Sequence, residues 1–176
     1  MMKYDIPAPI SKTRRRSAHS LPSYRYVPGL HPHPFRHPAG HMYKERHTFL
    51  ESEDWHKDEA FLFGADLFDH RFWWEAHEAW ESCWLRATGI EKDCIQGLIQ
   101  LSASLLKHHM GHIKARDRLF CRAQGRLQHA SDIGWNVDET INQTQRFFCG
   151  EEAPILGASF LKGDKSQGHE VSKCTN

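Results

Sequence analysis

A histidine and two glutamates stand close together in residues 73–84, a tryptophan-rich segment that reads WWEAHEAWESCW. On a helix, His77 and Glu81 would share one face, because Cβ atoms four residues apart lie about 5–6 Å from each other. Imidazole nitrogen and carboxylate oxygen are common ligands of zinc, iron, manganese and nickel. The spacing therefore indicates a divalent-metal site that could support hydrolysis, with His77 and Glu81 as ligands and Glu78 as a general base.

Tryptophans flank the pair on the same side of the predicted helix. Trp73, Trp80 and Trp84 follow helical spacing relative to His77, which predicts that the pair lies within an apolar stripe. We expect Trp80 and Trp84 to support the site by packing rather than to bind a ligand, because aromatic side chains at this spacing usually build a core.

Two ligands do not complete a metal site, so other residues must contribute. Asp66 stands four residues before a second histidine on the preceding segment. We expect Asp66 to be a third ligand or to orient a ligand. Gln100 on a later helix and His41 near the N-terminus are supporting candidates.

Other interpretations of the same residues remain open. His77-Glu78-x-x-Glu81 imitates the H-E-x-x-H motif of zinc proteases, but its second histidine is replaced. A di-iron bundle needs two Glu-x-x-His motifs, and this sequence has none. The pair could instead be a structural hydrogen bond in a non-catalytic scaffold or interaction module that associates with itself or with a protein partner. Whether the protein is an enzyme is not decided by these residues.

The charges are spread unevenly along the 176 residues, although the formal net charge is only +1. Residues 1–50 carry nine Lys and Arg against two acidic residues, whereas residues 51–90 carry ten Asp and Glu against three basic ones. We expect the basic segment to lie across the acidic helices of the same molecule. Nucleic-acid binding is not favoured, because it usually shows a basic face on the folded domain itself.

Cysteine usage and hydropathy suggest a compartment. The five cysteines are odd in number and scattered without a CxxC motif, which is typical of a reducing compartment, and we expect the cytoplasm. We see no signal-peptide core near the N-terminus. No run approaches the roughly 20 apolar residues that a membrane span requires, so a membrane protein is not expected.

Proline and glycine divide the chain into four parts. Residues 1–20 are predicted to be a flexible basic N-terminus, and residues 21–50, with five prolines, an extended Pro/His-rich arm laid over the domain. Residues 51–150 form the predicted helical domain. Residues 151–176 are expected to be a disordered tail.

The helical domain is predicted to be all-α, with five helices in a small bundle of antiparallel neighbours. Ser52 is a candidate N-cap of the first helix. The third helix should cover about residues 91–110 and the fourth about residues 113–131. Asn136 and Glu139 resemble a capping box for the fifth.

Two motifs together resemble a known family. The segment WEAHEAWESCW and the following QGLIQLSASLLKH are similar to the domain of unknown function 309 family, which is marked by His-x3-Glu-x2-Trp/Tyr and Gln-Gly-Leu-Ile-Gln patterns. The similarity covers roughly residues 21–130, including the arm. It implies a small all-helical fold and a metal site at His77 and Glu81, but no established reaction.

Overall fold

The computed structural model describes residues 15–45 and 48–161. Within these residues five α-helices and one short 3₁₀ helix follow one another. Their bounds are α1 Glu59–Asp69, α2 Trp73–Arg86, α3 Gly89–His109, α4 Ile113–Leu127, the 3₁₀ helix Ala130–Ile133 and α5 Asp138–Phe148.

Consecutive helices pack on each other: α1 on α2, α2 on α3 and α3 on α4. The connections between these helices are two or three residues long, so each helix reverses direction against the previous one. The predicted all-α bundle is confirmed, and the described residues contain no strand. Nor does any described helix have the length and apolar character needed to cross a bilayer.

Helix α1 starts later than predicted because a different residue caps it. The Asp58 carboxylate accepts a hydrogen bond from the Phe61 backbone N–H at 2.9 Å, which satisfies a free donor of the first turn. Asp58 also accepts from Arg86 of α2 at 2.8 Å, so the cap ties two helices together. Ser52, the predicted N-cap, instead lies before the helix, where its N–H donates to the Asp58 carboxylate and its hydroxyl accepts from the Asp54 N–H.

Helices α1 and α2 approach closely where Gly64 faces Trp80. A Cβ atom at Gly64 would collide with the Trp80 indole. The same indole donates to the Phe61 carbonyl at 3.2 Å. Trp80 is therefore a core residue that fixes the spacing of the helices that carry and face the candidate site.

The last helices differ from prediction at their ends. Helix α4 ends at Leu127 rather than near residue 131, and the 3₁₀ helix begins at Ala130. The capping box of α5 does not form: the N-cap is Val137, which makes no side-chain bond. Glu139 pairs with Arg146 at 2.8 Å instead.

The predicted disordered tail is wrong for its first part. Leu156 and Phe160 are buried, and the Phe160 ring packs on Phe61 of α1. The Phe160 carbonyl accepts from the Asn136 N–H at 2.8 Å. Residues 162–176 lie outside the described part of the chain.

The N-terminal segment runs over acidic residues of α1, as the charge distribution predicted. The backbone N–H groups of Arg16 and Ser17 donate to Asp66 at 2.8–2.9 Å. The Arg16 guanidinium contacts Asp66, Asp69 at 3.0 Å and the Gly157 carbonyl. Residues 15–17 are thus bound rather than flexible, and residues 1–14 lie outside the described range.

Candidate functional site

Helix α2 brings three ligand-bearing side chains together. One ligand atom from each of His77, Glu78 and Glu81 lies within 4.8 Å of the other two. The His77 ring nitrogen Nε2 is 3.1 Å from Glu81 Oε1, which is the contact expected for positions four residues apart on a helix. The predicted pair therefore forms, and Glu78 joins it as a third group.

The pair lies at the surface rather than inside the apolar stripe. The His77 and Glu81 side chains are 29% and 51% exposed. The buried stripe of α2 runs through Trp73, Ala76 and Trp80 to Cys83, one helical position away from the expected line. The prediction that the pair lies within the apolar stripe is wrong, and the observed group is open to solvent and to ligands.

The Glu78 carboxyl has a raised pKa. Burial is the main cause and the neighbouring charges of Glu81 and Glu75 add to it, and together they raise the pKa to about 7. A carboxyl with a pKa near neutrality can both accept and release a proton at physiological pH, which suits a general base.

The tryptophans of the motif play different parts. Trp80 is fully buried and belongs to the core. Trp84 is only partly buried, and the Lys92 ammonium lies 4.6 Å from the centre of its ring in a cation–π contact. Both pack, as predicted, and Trp84 does so at the edge of α2.

Asp66 does not lie with the predicted ligands, which corrects the sequence prediction. Its carboxylate is buried and accepts five hydrogen bonds from four donor groups of Arg16 and Ser17. His70, its expected partner, contacts the Asp66 backbone carbonyl through Nδ1 at 2.8 Å. Asp66 therefore anchors the N-terminal segment, because its oxygens are occupied by donors of that segment.

Gln100 does not support the site through its oxygen. Its Oε1 is buried and has no hydrogen-bond partner in the described part of the chain. Gln100 Oε1 therefore makes no hydrogen bond to His77 or Glu81.

His41 from the arm reaches α2, but at a residue that the sequence did not single out. Its Nε2 lies 3.0 Å from Glu75 Oε1, and the two side chains are only 4% and 2% exposed. The Tyr26 backbone N–H donates to the same oxygen at 2.8 Å. Glu75 thus holds the arm against α2, and no local pattern marks it, since its partners lie 34 and 49 residues away.

A cleft of about 750 Å³ opens beside the three ligand-bearing groups, between the arm and helices α1 and α2. Glu75, Glu78 and Ser82 line its α2 side. Glu78 belongs both to this cleft and to the group with His77 and Glu81. A molecule in the cleft would therefore lie beside the candidate metal ligands.

Comparison with known proteins gives one family. The family model described as domain of unknown function (DUF309) matches residues 61–119, about a third of the chain and less than the resemblance over residues 21–130 suggested. Comparisons with curated proteins and with solved structures gave no match. The matched segment contains all of α1, α2 and α3 except the first two residues of α1, and with them His77, Glu78 and Glu81. Residues 61–119 of this chain are therefore similar to the DUF309 family, in the segment that carries the candidate site.

Proposed function

We propose that this protein binds a divalent transition metal ion through His77 and Glu81, with Glu78 beside them as a general base. The observation that carries the proposal is the convergence of one ligand atom from each of the three side chains within 4.8 Å on one helix. An imidazole nitrogen and a carboxylate oxygen are ligands that suit zinc, iron, manganese or nickel.

The open surface favours a site with free coordination positions. A structural zinc site is usually closed by four protein ligands, whereas a catalytic site keeps a position for water or substrate. Two protein ligands at the surface, beside a cleft, leave coordination positions free, as in the second arrangement. Such an ion would act as a Lewis acid that polarises a carbonyl or phosphoryl oxygen.

Hydrolysis is the reaction that this arrangement supports best. Glu78 borders the cleft, and its pKa of about 7 lets it take a proton from an attacking water at neutral pH. In this scheme His77 and Glu81 hold the ion and Glu78 serves as base. We place this activity in the cytoplasm, because the four described cysteines are free thiols.

Metal analysis of the purified, untagged protein tests the proposal. We expect about one equivalent of zinc, iron, manganese or nickel by elemental analysis, and its loss in both His77→Ala and Glu81→Ala while the circular dichroism spectrum is retained. His129→Ala is the matched control, because His129 lies 3.1 Å from Asp132 in a similar exposed pair that no third metal-ligating side chain of the described residues joins.

The outcome also decides between the two classes of function. Metal-free protein that fails to take up any of the four ions in calorimetric titration would refute the metal site and leave the non-catalytic scaffold. Glu78→Gln should retain the metal and lose hydrolytic activity. Unchanged hydrolysis in that variant would remove Glu78 from the mechanism.

A further inference from the structure

The cleft between the arm and helices α1 and α2 has features of a ligand site that the metal proposal does not use. Its volume of about 750 Å³ lies in the range of small-molecule pockets, roughly 300–1,000 Å³. Six apolar side chains form much of its wall: Pro22, Phe35, Met42, Phe49, Phe63 and Leu67. Such a wall accommodates an aromatic or branched hydrocarbon body.

Glu75, which lines the cleft, has one oxygen that lacks a partner. Glu75 Oε1 accepts two bonds from the arm, but Glu75 Oε2 is buried and has no hydrogen-bond partner within the described residues. A buried carboxylate oxygen without a donor is unfavourable. A ligand that supplies a donor there would gain this free energy on binding.

The charges around the cleft select the kind of donor. Among the described residues, Glu45, Glu75 and Glu78 line it together with one cation, Lys44. An ammonium group carries three donors and a positive charge, and its hydrogen bonds to a carboxylate are about twice as strong as those between neutral groups. A carboxylate or phosphate ligand would be repelled by the same wall.

We propose that this cleft binds a small primary amine with an aromatic or branched apolar body, and that the ammonium group donates to Glu75 Oε2. The apolar body packs between the arm and α1, on side chains such as Phe35 and Phe63. This proposal does not depend on the metal site, although Glu78 adjoins both.

Calorimetric titration of the full chain with phenethylamine tests the proposal, with EDTA present so that metal binding plays no part. We expect saturable binding of phenethylamine. Phenethyl alcohol and 3-phenylpropionate, which have the same ring without the ammonium group, should bind at least about tenfold more weakly. No saturable amine binding, or equal binding of amine and alcohol, would overturn the proposal.

Replacing Glu75 tests the contact itself. In Glu75→Gln an amide N–H group takes the place of one carboxylate oxygen, and we expect the affinity for phenethylamine to fall at least about tenfold. Glu139→Gln is the matched control, because Glu139 is an exposed glutamate of α5. The affinity of this variant for phenethylamine should match that of the wild type. Equal affinities of both variants would refute the role of Glu75.

A second variant keeps the proposal testable if Glu75→Gln does not fold. Lys44 is exposed and lines the cleft, so Lys44→Gln removes a like charge without disturbing the core. We expect about a twofold to fivefold gain in phenethylamine affinity. An amine-induced change in the NMR signal of the Tyr26 amide would locate the ligand at Glu75, and changes confined to another region, or no gain in affinity, would contradict the proposal.

The two proposals can fail separately. A protein that binds the amine in EDTA but takes up no metal retains the cleft and loses the metal site. A protein that takes up metal but ignores phenethylamine retains the metal site and loses the amine ligand.

Discussion

Residues 75–81 of α2 take part in two histidine–glutamate pairs, and the contact distances of the two pairs are nearly the same. His41 and Glu75 are 3.0 Å apart, and His77 and Glu81 are 3.1 Å apart. They differ in burial: the first pair is at most 4% exposed, whereas the second is 29% and 51% exposed. They also differ in connection, since the first joins the arm to the helix and the second lies within one turn.

This difference separates a structural pair from a candidate ligand pair. A buried pair must be held by further bonds, such as the one from the Tyr26 N–H to Glu75. An exposed pair contributes little to the free energy of folding. Its imidazole nitrogen and carboxylate oxygen can therefore give up their mutual hydrogen bond and bind a metal ion instead. The contact distance alone does not show which function a pair has.

The largest effect that we predict is on stability at the buried pair. His41→Ala leaves the Glu75 carboxylate without its histidine, so we expect the free energy of unfolding to fall by about 3 kcal/mol. His77→Ala should lower it by less than about 1 kcal/mol. Urea unfolding followed by circular dichroism measures both, and similar losses in the two variants would break the comparison.

Sequence reasoning found the pair that is local and missed the pair that is not. His77 and Glu81 share a helix, so the helical repeat is enough to bring them together. Glu75 meets a histidine 34 residues away, and only the folded arm brings them together. Local spacing also predicted the ends of α3 and α4 to within a few residues. The contact of Phe160 with Phe61 was not predicted, because it depends on the fold of the whole domain.

Asp66 gives the second prediction, because it extends the comparison to a third acidic residue. It was a predicted metal ligand, but it is buried under Arg16 and Ser17, 50 and 49 residues away. Asp66→Asn should therefore lower the free energy of unfolding by about 2 kcal/mol. The substitution replaces one accepting carboxylate oxygen by an NH₂ group, which cannot accept the hydrogen bonds from Arg16 and Ser17.

Metal content checks the same variant. We expect Asp66→Asn to bind as much metal as the wild type, measured by elemental analysis of folded protein. Loss of the metal from a folded Asp66→Asn variant would restore Asp66 as a ligand.

Glu78 lies between the two pairs and responds to both, which gives the third prediction. Its pKa is raised from 4.5 to about 7 in the folded protein, so the folded state binds more protons than the unfolded state between these values. Stability from this group is present below pH 4.5 and is lost as the pH rises to about 7. In EDTA, we expect the wild type to lose about 1 kcal/mol more than Glu78→Gln between pH 4.5 and pH 8, since solvent screens part of the effect.

Urea unfolding at several pH values measures this difference. Burial is the main cause of the shift, followed by the charges of Glu81 and Glu75. Glu81→Gln should therefore reduce the pH effect without removing it. A pH dependence that is the same in the wild type and in Glu78→Gln would show that Glu78 is ionised normally.

The smallest effect on stability is expected for Glu81→Gln, at the exposed pair. An exposed histidine–glutamate contact four residues apart contributes about 0.5 kcal/mol or less, so unfolding in urea should be almost unchanged. The same substitution replaces a carboxylate ligand by a weaker amide oxygen, and elemental analysis should show that the metal is lost. His129→Ala, in the other exposed pair, should change neither quantity. A large loss of stability in Glu81→Gln would show that the His77–Glu81 pair is structural, like the buried pair. A residue that only binds a metal can be replaced without destabilising the fold, whereas a residue that holds the arm cannot.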